Sequence, residues 1–192
     1  MENAEKPIGL RMEDIAHHII DITENSLNAG ANTIIITITD QEKPGYLTLI
    51  IEDNGKGMDP EIVFQAPDPF FTTRTTRKVG VGLSFLKQAA ELAGGSFALT
   101  SSPGKGTRVK TEFKMDHIDM PPLGDIPSAL KDLLITHPEV RWVISYNLQG
   151  ETATLDTCPP ELNRDSRSKN DAHKTIDTPL KKSDITLQGI GD

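Results

Sequence analysis

The spacing of apolar residues predicts three helices and six strands within the first 158 residues. In the first helix apolar side chains return every three or four positions, which is the period of one helix face, and Gly30 provides a C-cap. That stripe consists of Ile15, Ile19, Ile22, Ser26 and Ala29. Short alternating runs bounded by turn residues predict strands. The predicted helices are residues 12–29, 81–92 and 126–135, and the predicted strands are residues 32–40, 46–52, 96–101, 107–113, 140–146 and 152–156.

The order of these elements predicts an α+β fold. Residues 1–115 contain a helix and a hairpin twice over, which favours a two-layer α/β sandwich: a sheet of antiparallel hairpins with helices on one face. Residues 116–158 form a small C-terminal αββ extension. Residues 159–192 are polar, with scattered prolines and no aromatic residue, and are predicted to be a disordered tail.

Composition and charge narrow the functional classes. No apolar run approaches the roughly 18 residues of a membrane span, and the acidic N-terminus is unlike a signal peptide, so we expect a cytoplasmic protein. The net charge is -8, with the acidic excess in residues 1–158, which argues against binding to nucleic acid or to an anionic membrane. Cys158 is the sole cysteine and permits neither an internal disulfide nor a cysteine zinc cluster.

A first polar cluster lies on the predicted opening helix. Asp21, Asn25 and Asn28 are spaced i, i+4, i+7 and therefore share a face. Their oxygen atoms are the kind of ligand that Mg²⁺ prefers, and this cation needs few protein ligands because it retains several waters. The alternative is an ordinary solvated helix face.

A second motif, Asp53-Asn54-Gly55-Lys56-Gly57-Met58, directly follows a predicted strand. The Asp53 carboxylate would accept a hydrogen bond from an exocyclic amine, while the two glycines let a flat ligand approach the backbone. The alternative is a surface turn, since this composition is also typical of turns.

Two further segments would suit phosphates. Gly80-Val81-Gly82-Leu83-Ser84 opens a predicted helix, where free N–H groups and the helix dipole attract anions. Upstream lies Asp68-Pro69-Phe70-Phe71-Thr72-Thr73-Arg74-Thr75-Thr76-Arg77-Lys78, whose aromatic end would anchor a lid and whose cations would face a triphosphate. The alternatives are a flexible helix entry and a basic surface loop.

In this order, and with Gly104-Lys105-Gly106-Thr107 following, the motifs resemble the GHKL ATPases, the superfamily of DNA gyrase, Hsp90, histidine kinases and MutL. The segments 68–74, 80–84 and 102–107 look most like a histidine-kinase catalytic domain, whereas Glu24-Asn25-Ser26-Leu27-Asn28-Ala29-Gly30-Ala31 is more similar to MutL. The pattern through residues 117–125 is also similar to stand-alone ATPase-domain proteins found with iron-only hydrogenases. The resemblance implies the Bergerat version of the α/β sandwich.

The resemblance also implies residue roles. Asn25 would coordinate Mg²⁺, Asp53 would bind the adenine amine, and Thr107 would close the adenine side through a water. Gly57 would leave room for the ring, Met58 would line the pocket, and Phe70 and Phe71 would anchor the lid. The full implied ATP-binding set is Asn25, Ala29, Asp53, Gly55, Gly57, Met58, Phe71, Thr72, Arg74, Arg77, Lys78, Gly80, Val81, Gly82, Leu83 and Thr107.

Two departures from the family pattern concern catalysis. Asp21 stands where hydrolysing members carry a water-activating glutamate, so Asp21 and Glu24 are the catalytic candidates. None of the five histidines is followed by an acidic residue, as a phosphoacceptor histidine usually is, and His17 and His18 are expected on the polar face of the first helix.

We therefore expect an enzyme, an ATP-dependent protein kinase or an ATPase, that binds Mg-ATP and transfers phosphate to a partner protein in trans. The alternatives are a Hsp90- or MutL-like ATPase with lid-driven switching, which could be a homodimer, and a nucleotide-binding regulator without chemistry. The expected partners are ATP and a protein substrate or regulatory protein.

Overall fold

Six strands and four helices make up the part of the chain that the computed structural model describes, residues 13–68 and 82–158. The helices are α1 (Ile15–Asn28), α2 (Pro60–Gln65), α3 (Gly82–Leu92) and α4 (Ile126–Thr136). The strands are β1 (Thr33–Thr39), β2 (Tyr46–Asp53), β3 (Ser96–Ser101), β4 (Thr107–Lys114), β5 (Arg141–Leu148) and β6 (Glu151–Asp156). The short helix α2 was not predicted; Pro60 lies in its first turn, where a missing N–H costs nothing.

The strands form one sheet in the order β3-β4-β2-β1-β5-β6. Neighbouring strands are antiparallel except for β1 and β5, which run parallel with Thr33 opposite Arg141 and Thr39 opposite Asn147. A sheet of antiparallel hairpins alone was therefore an incomplete prediction. Along the chain α4 lies between β4 and β5, and it carries the chain from β4, past β2, to the far side of β1. A helical crossover of this kind produces parallel strands.

The core lies between one face of the sheet and the helices. Burial alternates along β1, as one covered sheet face requires, whereas β2 is buried at every position from Leu47 to Ile51. The buried side chains are Ile34, Ile36 and Ile38 of β1, Leu47, Leu49 and Ile51 of β2, and Ile15, Ile19 and Ile22 of α1. This arrangement confirms the two-layer α+β sandwich.

The C-terminal αββ block continues the same sheet and also supports the start of α1. The N–H groups of Ile15 and Ala16, which have no partner within the helix, donate to the carbonyls of Pro122 (2.9 Å) and Leu123 (3.1 Å). Asp14 caps the same turn by accepting from the N–H of His17. Trp142 of β5 is buried, and its indole N–H donates to the carbonyl of His137 at 3.0 Å.

Over the described ranges, no helix combines the length and the apolar character needed to traverse a lipid bilayer.

Candidate functional site

The carboxylate of Asp53 is held from three directions at the end of β2. Its Oδ2 accepts a hydrogen bond from the hydroxyl of Ser26 at 2.7 Å. Its Oδ1 accepts from the N–H of Gly55 at 2.8 Å and from the N–H of Thr107 at 3.3 Å. The helix α1, the turn after β2 and the start of β4 therefore converge on this one side chain.

Ser26 was not among the predicted site residues. Ser26 lies on the buried stripe of α1 and is only 3% exposed, because it follows Ile22 by one helical turn. A hydroxyl on an otherwise apolar stripe is a signal that the sequence offers, since a buried polar group needs a hydrogen-bond partner. Here that partner is Asp53.

The glycine-rich turn after Asp53 lies between the end of α1 and the turn that joins β3 to β4. The N–H of Lys56 donates to the carbonyl of Ala29 at 3.0 Å, and the carbonyl of Lys56 accepts from the N–H of Gly104 at 2.7 Å. A Cβ on Gly55 would approach Ala29 Cβ to 2.9 Å, and one on Gly57 would overlap the carbonyl oxygen of Ser102. The packing of the protein itself thus requires both glycines, independently of any bound ring.

Met58 and Thr107 are connected through Ser101. The N–H of Met58 donates to Ser101 Oγ at 2.9 Å, and this hydroxyl in turn donates to the carbonyl of Gly106 at 2.7 Å. Thr107 Oγ1 lies 3.0 Å from Ser101 Oγ. Because Ser101 has a single hydroxyl proton and donates it to Gly106, Thr107 is the donor in this second hydrogen bond. These bonds fix the strand ends that flank Asp53.

Asp21 of α1 faces the N-terminus of α3. A Cβ on Gly82, the first residue of α3, would lie 3.2 Å from Asp21 Cβ. The pKa of Asp21 is raised above its ordinary value: the largest cause is partial removal of water from the carboxylate, although the residue as a whole is exposed, while the charge of His17 opposes this shift and that of Glu24 adds to it. Asn25, one turn further along α1, is half-buried.

Glu24 and Asn28 have contacts of their own. The Glu24 carboxylate lies 3.8 Å from Nε2 of His137, the residue that caps the end of α4, and His137 Nδ1 lies 3.5 Å from Glu139. Asn28 is exposed, and its amide donates back to the carbonyl of Glu24. Of the two catalytic candidates, Asp21 is therefore the one beside α3.

His18 is not on the polar face of α1, which corrects the expectation. It is 1% exposed because it lies three residues after Ile15 and four before Ile22, at the margin of the buried stripe. Burial lowers the pKa of His18 to about 4, an effect that the charge of Asp14 opposes and that of His17 reinforces. His17 is exposed as expected and bonds Asp14 Oδ1 through Nδ1 at 2.7 Å.

Several predicted site residues lie outside the described part of the chain: Phe70, Phe71, Thr72, Arg74, Arg77, Lys78, Gly80 and Val81. Leu83, which follows Gly82 in α3, is half-buried against the core.

Within residues 13–68 and 82–158 no group of three or more His, Cys, Asp or Glu side chains is arranged to hold a metal ion. The predicted Mg²⁺ ligand, Asn25, would act through an amide oxygen, and such an ion takes most of its remaining ligands from water and substrate phosphates.

A two-layer α+β sandwich that holds a carboxylate at the end of β2, with a tight glycine turn beside it, has the features of a nucleotide-binding domain. The profile of the histidine kinase-, DNA gyrase B- and HSP90-like ATPase family matches residues 12–117. The chain therefore belongs to this family, and the matched region is its ATP-binding domain.

Among curated relatives, the chain is similar to the NtrY-like sensor histidine kinase of Rickettsia conorii, at 28% identity over 110 residues. It is also similar to the sensor protein kinase FleS of Pseudomonas aeruginosa, at 35% identity over 89 residues. These matches cover 57% and 46% of this chain but only 18% and 22% of the two relatives. Among solved structures, the Aquifex aeolicus MutL ATPase domain complexed with ADP aligns with a TM-score of 0.49 and 17% identity, over 75% of this chain and 64% of that chain.

Proposed function

We propose that this protein binds Mg-ATP with its adenine amine on Asp53 and transfers the γ-phosphate to a partner protein in trans. The observation that carries the proposal is the Asp53 carboxylate, which three hydrogen bonds from separate parts of the chain hold in place at the C-terminal end of β2. A preorganised acceptor of this kind favours ligands that carry a hydrogen-bond donor at the matching position.

Base recognition would use the acceptor capacity that these three bonds leave. An ionised carboxylate offers about four lone-pair positions. Oδ1 accepts two N–H groups and Oδ2 accepts one hydroxyl, which leaves one position on Oδ2. An exocyclic amine fits that position, while a carbonyl oxygen there would face a negatively charged oxygen.

The phosphates would lie toward the N-terminus of α3. Gly82 supplies a backbone N–H at this end, and a helix N-terminus favours negative charge. In the proposal Asn25 provides the protein ligand to Mg²⁺, which neutralises phosphate charge, and Gly80, Arg74, Arg77 and Lys78 add further phosphate contacts. Asp21 would accept the proton of the attacking group, a role that its raised pKa supports.

Transfer to a partner is supported by the similarity to sensor kinases. A side chain of the partner would form a bond to the γ-phosphorus while the bond to the bridging oxygen breaks and ADP leaves. His18 is unsuited as an internal acceptor, because it is buried in the core layer.

A second candidate is an ATPase that couples hydrolysis to a conformational switch. The position of Asp21 beside the first residue of α3 favours it, since a carboxylate at that place could orient a water as well as a protein nucleophile. A nucleotide-binding regulator without chemistry would use the same Asp53 contacts.

The substitution Asp53→Ala tests nucleotide binding. We expect it to weaken ATP and ADP binding alike, by roughly 10–100-fold, because it removes a charged hydrogen bond and leaves the amine without a partner. Calorimetry on folded protein measures this, and Asp132→Ala, an exposed carboxylate on α4, is the matched control. ATP affinity equal to that of the parent protein would show that the base binds elsewhere.

The fate of the phosphate distinguishes the chemical alternatives. ATP labelled at the γ-phosphate is incubated with purified protein, alone and with extract of the source cells, and the label is followed as free phosphate or as labelled protein. Asn25→Ala serves as the inactive control, because the proposal gives it the Mg²⁺ contact. Labelling of a second protein that needs Asn25 supports transfer in trans, release of free phosphate supports the ATPase, and binding without either supports the regulator.

A further inference from the structure

We infer that Ser26 is a positioning residue that restricts Asp53 to a single ligand donor and thereby sets selectivity for a purine with an exocyclic amine. This inference rests on the proposed function, because it takes Asp53 as the contact to the base.

The geometry places Ser26 on the one carboxylate oxygen that is not already saturated. Oδ1 accepts two backbone N–H groups, from Gly55 and Thr107. Oδ2 accepts the hydroxyl of Ser26 at 2.7 Å, the shortest of the three bonds. Without Ser26, Oδ2 would offer two positions instead of one.

The hydroxyl proton of Ser26 has two acceptors within reach. The carbonyl of Ile22 lies 3.3 Å away and already accepts the helical N–H of Ser26. The Asp53 oxygen is 0.6 Å nearer, and a carboxylate is the stronger acceptor. The proton therefore points to Asp53, and because Ser26 is buried, water does not compete for it.

The consequence for a ligand is orientational. With both oxygens tied to different elements, α1 on one side and the β2 turn and β4 on the other, the carboxylate plane is fixed. The remaining position on Oδ2 then accepts from one direction, and a base is bound strongly only if its amine lies on that line. If the Ser26 hydroxyl is removed, the carboxylate keeps its charge but can rotate. The difference in affinity between a base with the amine and a base without it should then become smaller.

The test compares ATP with purine riboside triphosphate, which lacks the amine, on parent protein and on Ser26→Ala. We expect the parent to prefer ATP by roughly 10–100-fold, as for one hydrogen bond to a charged group. In Ser26→Ala we expect this preference to fall by about 3–10-fold. Ser26→Cys, of similar volume and with a weak donor, should give an intermediate preference and provides a second variant if the alanine protein does not fold.

Thr23→Val is the matched control, because it removes another fully buried hydroxyl from α1, one with no hydrogen-bond partner in the part of the chain that the structure describes. We expect it to leave the preference for ATP unchanged. If Ser26→Ala and Ser26→Cys weaken both nucleotides by the same factor, Ser26 acts only on stability and the inference is wrong, while the proposed function stands. If the parent shows no preference, or Asp53→Ala keeps it, the base assignment itself is wrong and the inference falls with it.

Discussion

At the residue scale, His18 is an ionisable side chain that the fold keeps neutral. Both of its ring nitrogens are buried without a hydrogen-bond partner among the described residues, and the same holds for Glu13 Oε2, which lies 3.8 Å from Nδ1. Burial lowers the pKa of His18 and is likewise the largest cause of the raised pKa of Glu13. Both shifts disfavour charge in the layer between α1 and the rest of the core.

His18 should make the protein less stable as the pH falls. Its pKa is about 4 in the folded state against 6.5 when unfolded, so between these values the unfolded chain binds a proton that the folded chain does not. The free energy of unfolding should fall through this window, by about 3 kcal/mol near pH 4, and level off below it. Thermal unfolding from pH 7.5 to 4 measures this, with His18→Met as the variant.

The variant His18→Met should show a flatter dependence of Tm on pH than the parent, since Met fills a similar volume without titrating. The exposed neighbour His17 provides the control, and His17→Gln should retain the steep dependence. The raised pKa values of Glu13 and Asp21 act in the opposite direction on acidification; His17→Gln also removes the charge that lowers both of them, so its dependence on pH is compared with that of the parent in sign and steepness only. Equal slopes for parent and His18→Met would contradict the buried neutral state.

The residues of the site were predictable to different extents. The place of Asp53 at the end of a strand, before a glycine turn, could be predicted, because the apolar run of β2 ends there; its contact with a base stays a prediction. The burial of Ser26 followed from the apolar stripe, but its bond to Asp53 did not, because that bond depends on how α1 packs beside β2; the burial of His18, at the margin of the stripe, was not predicted for the same reason. Glu24 and Asp21 are three residues apart, yet one pairs with α4 and the other faces α3.

At the element scale, the turn after β2 is the connection on which the site geometry depends. It is bonded on one side to the last turn of α1, through Ala29, and on the other to the β3–β4 turn, through Gly104. Gly57 has a φ of 67°, in the left-handed region that favours glycine. The three elements can approach this closely only because no side chain separates them.

Gly57→Ala should destabilise the protein by about 3 kcal/mol or more, because the new Cβ overlaps the Ser102 carbonyl in addition to straining φ. Gly104→Ala is the matched control: its φ is 71°, but a Cβ there meets nothing within 4 Å, so the cost should be about 1 kcal/mol. Urea unfolding, followed by the fluorescence of Trp142, compares the two. Equal losses of stability would show that conformation alone, and not contact, requires glycine at position 57.

The helices and strands themselves followed closely from the apolar periodicity, whereas the parallel pairing of β1 with β5 did not. Local patterns specify each strand and each tight hairpin, but the neighbour of β1 is chosen by the crossover through α4. The helix α2 was missed because a helix of six residues is too short to show a period.

At the scale of the whole molecule, the block of residues 116–158 and the ATP-binding region share their structure. The family match ends at residue 117, yet β5 pairs with the central strand β1, and Pro122 and Leu123 satisfy the start of α1. The compact unit that contains the site extends from Met1 to Pro159.

A protein shortened to residues 1–158 should keep the Tm and the ATP affinity of the full chain, because residues 159–192 carry few apolar side chains to offset the entropy of ordering. A protein shortened to residues 1–117 should be insoluble or lose most of its stability, since β1 would become a bare edge and α1 would lose two N-terminal partners. Circular dichroism and calorimetry on both truncations check this. A stable, ATP-binding 1–117 protein would show that the family region folds alone.

The parallel pair of β1 and β5 also determines when the sheet can be completed during synthesis. Thr33 pairs with Arg141, so more than 100 residues separate the two partners along the chain. At about 5–20 residues per second, a ribosome needs roughly 5–20 s to make that stretch. Throughout this interval the strand that ends up at the centre of the sheet is an edge strand. Its sequence of isoleucine and threonine, without charge, proline or glycine, is of the kind that pairs with other chains, so the nascent protein carries an aggregation hazard in a strand that the finished sheet covers on both sides.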